Sequence, residues 1–180
     1  LAQTLFEGKC VDGDTALAEA ALSAQCFLKL KELGVPFPVN RWGEYIGYKT
    51  DHDPKRRATS AGPLTSRLMV ECLEKSVRGK GIKIYGDMLA ISIITRGSEC
   101  LGLLCLDLKE KTGAGYVFFN CANVIWATGG PAGMYADSVY PHGQCGASGI
   151  AFEAGAAGRN LTEWQFGIAS LHPRWNVSGT

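Results

Sequence analysis

One hundred and eighty residues, 46% apolar and 19% charged, describe a globular chain of single-domain length with 18 basic and 17 acidic side chains and a net charge of +1. That balance excludes an electrostatic nucleic-acid surface, and no apolar run approaches the ~20 residues of a membrane helix. Seven cysteines, odd in number and without a C-x-x-C pair, argue against a disulfide framework or a zinc site and for a reducing, cytoplasmic setting.

The chain opens on Leu rather than Met, which points to a piece of a longer protein, and residues 1–20 lack the order of a secretory peptide. Asp14 is placed to cap a helix whose apolar positions, Leu17, Ala20, Ala21, Ala24, Phe27 and Leu28, recur three and four apart. Gly34 ends it and Pro36 and Pro38 prevent its resumption. Residues 39–60, with Gly43, Gly47, Pro54 and the charge-rich run from Asp51 to Arg57, read as an irregular or hairpin-like surface segment in which His52 is solvated.

Gly62-Pro63 opens a second helix, with Pro at the first helical position where its missing N–H costs nothing. Leu64, Leu68, Cys72, Leu73 and Val77 give it an apolar stripe, and Gly79 and Gly81 close it. From Ile82 the period moves towards two. Strands are expected at 82–85, 88–95, 101–107, 116–120 and 123–127, so that 88–120 forms a three-stranded meander between the first and the last.

Asn123-Val-Ile-Trp-Ala127 has the form of a strand covered on both faces in a parallel sheet. Thr128-Gly129-Gly130 follows at its carboxyl end, where open α/β sheets hold ligands. A second glycine-rich turn, Gly143–Gly149, leads into a small-residue helix expected over 150–157. Each turn can bring main-chain amides to a flat or phosphorylated ligand, and each is equally compatible with a plain connection. No G-x-G-x-x-G, Walker loop, H-E-x-x-H or G-x-S-x-G is present.

The ordered series of meander, apolar strand, Ala127-Thr-Gly-Gly130, glycine-rich turn, Ala151-Phe-Glu-Ala-Gly-Ala156 and Glu163-Trp-Gln-Phe166 resembles the flavoprotein-subunit family of succinate dehydrogenase, fumarate reductase and L-aspartate oxidase. Glu32-Leu-Gly-Val-Pro-Phe37 is similar to the stretch ahead of that family's substrate-side loop, and Met88-Leu-Ala90 to its first meander strand. The resemblance implies an α/β fold, a partial FAD-binding (glutathione-reductase-like) domain over residues 1–160 that lacks the N-terminal βαβ unit. Residues 161–180 would begin a capping, substrate domain. It implies FAD as the cofactor of the parent, an FAD-dependent oxidoreductase moving hydride between a small organic substrate and flavin, with the isolated piece inactive. By the same likeness Ala90, Ala127, Thr128, Gly129, Gly130, Gly146, Ser148 and Gly149 line the cofactor.

Two positions depart from the family pattern. Cys145-Gly-Ala-Ser-Gly149 holds no carboxylate where the family has T-G-D-G, and Gly167 replaces the histidine of its H-P-T segment. His172 and Arg174 are then the remaining catalytic candidates, Arg174 as a forked donor for a carboxylic-acid substrate. The alternative reading is a non-catalytic nucleotide-binding module. Sheet edges deprived of neighbours would make the piece self-associate, with neither nucleic acid nor membrane insertion expected.

Overall fold

The computed structural model describes residues 1–9, 11–50, 53–138, 140, 143–161 and 169–176, which fall into two compact units dividing at Ile84 and Tyr85. The first unit begins with a short helix absent from the sequence reading, α1 (Ala2–Glu7), followed by the long α2 (Gly13–Glu32). The cap of α2 is Asp12 rather than the expected Asp14. The Asp12 carboxylate accepts from the Thr15 N–H at 3.0 Å and from its hydroxyl at 3.0 Å, while Asp14 sits inside the first turn, where a negative charge suits the helix dipole.

The covered face of α2 is Ala16, Ala20, Ser23, Phe27 and Leu30, so two of the six expected apolar positions point inward. Leu17 and Leu28 lie one step around the helix on an open face. Phe27 is held by Phe37 at 4.8 Å and by the edge of Tyr45 at 4.7 Å, between ring centroids. This aromatic trio fixes the chain that leaves the helix, beyond the buried Val35.

The segment read as irregular or hairpin-like is a hairpin of β1 (Tyr48–Thr50) and β2 (Asp53–Ala58), with a bulge on β2. His52 lies outside the described residues. α3 (Thr65–Gly79) starts two residues later than Pro63 would place it. The Thr65 hydroxyl donates to the Gly62 carbonyl at 2.6 Å and accepts from the Ala61 N–H at 2.8 Å, which holds Pro63 and Leu64 in the entering turn. Gly81, at φ +67, takes the left-handed position that ends the helix.

The second unit is built on the meander of β3 (Met88–Arg96), β4 (Glu99–Asp107) and β5 (Tyr116–Asn120), antiparallel in the order β3-β4-β5. Its register places Ala90 opposite Cys105 and Cys105 opposite Val117 on the covered face. Leu89, Ile91, Tyr116 and Phe118 alternate onto the open one. Cys105 is enclosed, and burial pushes its thiol pKa up, which keeps it protonated and unreactive. The Phe118 ring crosses β4 at Gly102, where a side chain would meet both that ring and the Phe119 carbonyl.

Neither 82–85 nor 123–127 is a strand. A parallel strand exists only as one side of a ladder, and every described pairing in this chain is antiparallel. The Tyr85 ring packs on Phe119 of the meander, at 5.0 Å between centroids. The Asp87 carbonyl accepts from Leu108 N–H at 2.9 Å, and its carboxylate pairs with Lys109 at 2.6 Å. Residues 123–127 keep a strand's alternation, Val124 and Trp126 partly covered and Ile125 93% exposed. Beyond the turns lie α4 (Ser148–Glu153), which packs against β3, and a small hairpin of β6 (Ala169–Leu171) and β7 (Arg174–Asn176).

Gly102→Ala should destabilise the second unit by about 3 kcal/mol, since a methyl group there overlaps fixed backbone as well as a ring. A urea midpoint corresponding to a loss under about 0.5 kcal/mol would show that this crossing is looser than described.

Candidate functional site

The two glycine-rich turns predicted to act together are in contact. The Thr128 hydroxyl donates to the carbonyl of Gly146. The Gly133 N–H donates to the Gln144 carbonyl at 2.7 Å, so the turns are joined at two points. Between those points their backbones nearly touch. A Cβ built on Gly146 would stand 2.7 Å from the Gly129 carbonyl oxygen and 3.0 Å from the Gly130 carbonyl carbon and oxygen. No side chain fits there.

Conformation repeats the requirement. Gly129 has φ +80 and Gly146 φ +68, and Ala147 follows at φ +49, so the second turn makes two successive left-handed steps. Gly133 and Gly146 are enclosed, whereas Gly129, Gly130 and Gly149 have nothing within 4 Å of where a Cβ would stand. One side of the paired turns is therefore packed backbone to backbone and the other lies open. The open side carries main chain and the Thr128 and Ser148 side chains, with no acidic or basic group among Ala127–Gly130 and Gly146–Gly149. Its chemistry is that of a neutral hydrogen-bonding cradle.

Trp126, two residues before Thr128, has an indole N–H that is buried without a hydrogen-bond partner among the described residues. A buried donor of this kind ordinarily has an acceptor. Sequence reading used Trp126 only as an apolar residue in the expected strand. Its signal was the polar edge of tryptophan inside an otherwise aliphatic run.

Ala90 enters through α4. That helix begins at Ser148, inside the second turn, and packs against the strand that carries Ala90. It is shorter than expected, ending at Glu153 rather than reaching residue 157. Gly155, at φ +91, terminates it, and the Ala156 N–H returns to the Ala151 carbonyl at 3.0 Å. His172 is exposed in the turn between β6 and β7, and Arg174 opens β7, each in the same unit as the paired turns. The Glu163-Trp-Gln-Phe166 stretch and Gly167 lie outside the described residues.

The family model described as an FAD binding domain matches residues 7–180. L-aspartate oxidase of Mesorhizobium japonicum is 30% identical over 178 residues, covering 96% of this chain and 33% of the relative. L-aspartate oxidase of Bacillus subtilis is 26% identical over 145 residues, covering 72% of this chain and 27% of the relative. A solved structure of a variant of E. coli quinol fumarate reductase FrdA superposes with a TM-score of 0.63 at 19% identity, over 70% of this chain and 21% of that one. The chain thus spans about a third of the length of the curated relatives it matches.

Thr128→Val should loosen the paired turns without touching the meander. Exchange of the Gly133 amide should accelerate about tenfold, the equivalent of ~1.4 kcal/mol of lost local stability, with Cys105 and Leu106 amides unchanged. Uniform acceleration across the second unit would contradict a local role for the Thr128 hydroxyl.

Proposed function

The chain belongs to the FAD-binding-domain family related to the succinate dehydrogenase, fumarate reductase and aspartate oxidase flavoproteins, and on that premise we propose that the paired turns hold FAD through main-chain contacts in a longer oxidoreductase. The observation that carries the reading is the backbone contact of Gly146 with Gly129 and Gly130, which brings two bends with small side chains together. The residues present fit the cofactor. A dinucleotide offers phosphate and carbonyl oxygens to N–H donors and a flat ring that needs a surface without protruding Cβ atoms.

In this reading Ala127, Thr128, Gly129 and Gly130 present peptide groups to the cofactor from one turn, and Gly146, Ser148 and Gly149 from the other. The Thr128 hydroxyl is spent on the Gly146 carbonyl, so its task is to set the distance between the turns rather than to meet the ligand. Trp126 supplies a further donor at the edge of the cradle. Ala90 approaches by way of α4, where a small side chain permits close contact. Bound flavin would supply hydride acceptance, and the parent's substrate would be a small organic acid, as the names of the two L-aspartate oxidases suggest. His172 and Arg174 remain the candidates for meeting that acid.

The test uses the full-length parent. It should purify yellow, with about one flavin per chain, and Gly146→Ala should lower FAD affinity at least about tenfold, since the added methyl group separates the turns. Flavin that is bound but never reduced by any small organic acid would favour the non-catalytic nucleotide-binding alternative. A colourless parent with no thermal shift at saturating FAD would end the proposal.

A further inference from the structure

Two of the described cysteines meet at the end of the meander, where the chain leaves it. The pairing of β3 with β4 runs Ile94 to Gly102 and then Thr95 to Cys100, so Leu101 is an extra residue bulged out of β4. The pairing of β4 with β5 ends at Gly102 and Asn120, and one further step sets Cys121 level with that bulge. The Cys100 thiol donates to the Cys121 carbonyl, 3.6 Å from Sγ to oxygen, the one hydrogen bond between two cysteines among the described residues. Both residues are half-buried, and both line a cavity of about 350 Å³ that also takes in Leu101 and Asn120.

The other described thiols are placed differently. Cys105 is enclosed, with its pKa raised by burial, Cys26 and Cys145 are exposed, and Cys72 sits on α3 in the first unit. Neighbouring antiparallel strands bring facing Cα atoms to about 4.5–5.5 Å, inside the ~4.4–6.8 Å that a disulfide spans. Partial exposure leaves Cys100 and Cys121 open to a small reagent, while the strand pairing holds them side by side.

We propose that Cys100 and Cys121 form a dithiol site that a low-molecular-weight disulfide such as oxidised glutathione converts to a reversible internal disulfide. One cysteine thiolate attacks the small disulfide, forming a mixed disulfide and releasing one small thiol. The second thiolate attacks the protein sulfur of that mixed disulfide, forming the internal bond and releasing the other small thiol. Two cysteine thiols are oxidised, the small disulfide is reduced, and the two cysteine protons end on the released thiols. In a reducing setting such a bond is transient and regulatory rather than structural. It fastens the chain to β4 at Cys121, just ahead of residues 123–127 and the Thr128 turn. The inference stands on the meander alone and is independent of flavin binding.

The full chain, reduced and then equilibrated in a glutathione redox buffer, is to be alkylated and mapped by mass spectrometry without further reduction. A Cys100–Cys121 bridge should exceed every other cysteine pair at least about tenfold and vanish on return to reduced glutathione. Cys100→Ser and Cys121→Ser should each abolish it. The surviving cysteine should then carry glutathione at least about tenfold more than in the unsubstituted chain, because no second thiol displaces it. Amide exchange at Leu103–Leu106 should be unchanged in both variants, which separates loss of the thiol from loss of the meander. Glutathione on both cysteines with no bridge, a bridge that forms only in urea, or bridges spread evenly over other pairs would overturn the proposal. So would Cys100 and Cys121 that stay reduced throughout.

Discussion

The second unit depends on one close approach, that of the Gly146 backbone to the carbonyls of Gly129 and Gly130. At 2.7 Å from a Cβ position to a carbonyl oxygen, no residue but glycine permits it, and the left-handed φ of Gly146 favours the same choice. Everything proposed for the site follows from that approach. Two peptide bends with small side chains are in contact, the Thr128 hydroxyl joins them, and α4 packs on the meander strand β3. A ligand recognised there is recognised by peptide dipoles. This suits a cofactor whose identity is constant and whose own chemistry does the work.

The same logic appears in the first unit. There Gly47 lets the backbone of Arg56 pass at a distance no side chain would allow, inside the bulge of β2. In both units a glycine contact permits an irregular backbone. Regular elements around them are conventional. α2 is capped by Asp12, α3 is entered through the Thr65 hydroxyl, and the meander alternates faces residue by residue.

Local features were legible in the sequence. The period of two over 88–120 gave all three meander strands, because side-chain alternation is an intrinsic property of a half-covered antiparallel sheet. The glycine-rich turns were legible too, since backbone conformations at positive φ have few alternatives to glycine. The segments at 82–85, read from a period of two, and 123–127, read from an apolar run, were misread for one reason: either pattern signals a covered face, but a strand also needs a partner, and partners are not written in the segment itself. Ile125, expected in a sheet core, is instead almost wholly exposed. The helix cap was misplaced by two residues because Asp12 and Asp14 are equally good capping side chains, and only the Thr15 contacts distinguish them. The bulge at Arg56 was not legible, because a charged run carries no signal of a left-handed residue within it.

Among the described residues Ala16, Val35 and Cys105 are the buried apolar ones. The chain's functional content is concentrated in backbone geometry, and backbone geometry can be observed directly. Hydrogen exchange of the full-length protein with and without FAD is the most direct test. FAD should slow exchange at Thr128–Gly130 and at Gly146–Gly149 together, by a similar factor, while the exposed amides of the β1–β2 hairpin stay as they were. Protection of one turn without the other, or FAD binding that leaves both unchanged, would contradict the claim that the two bends form one cradle.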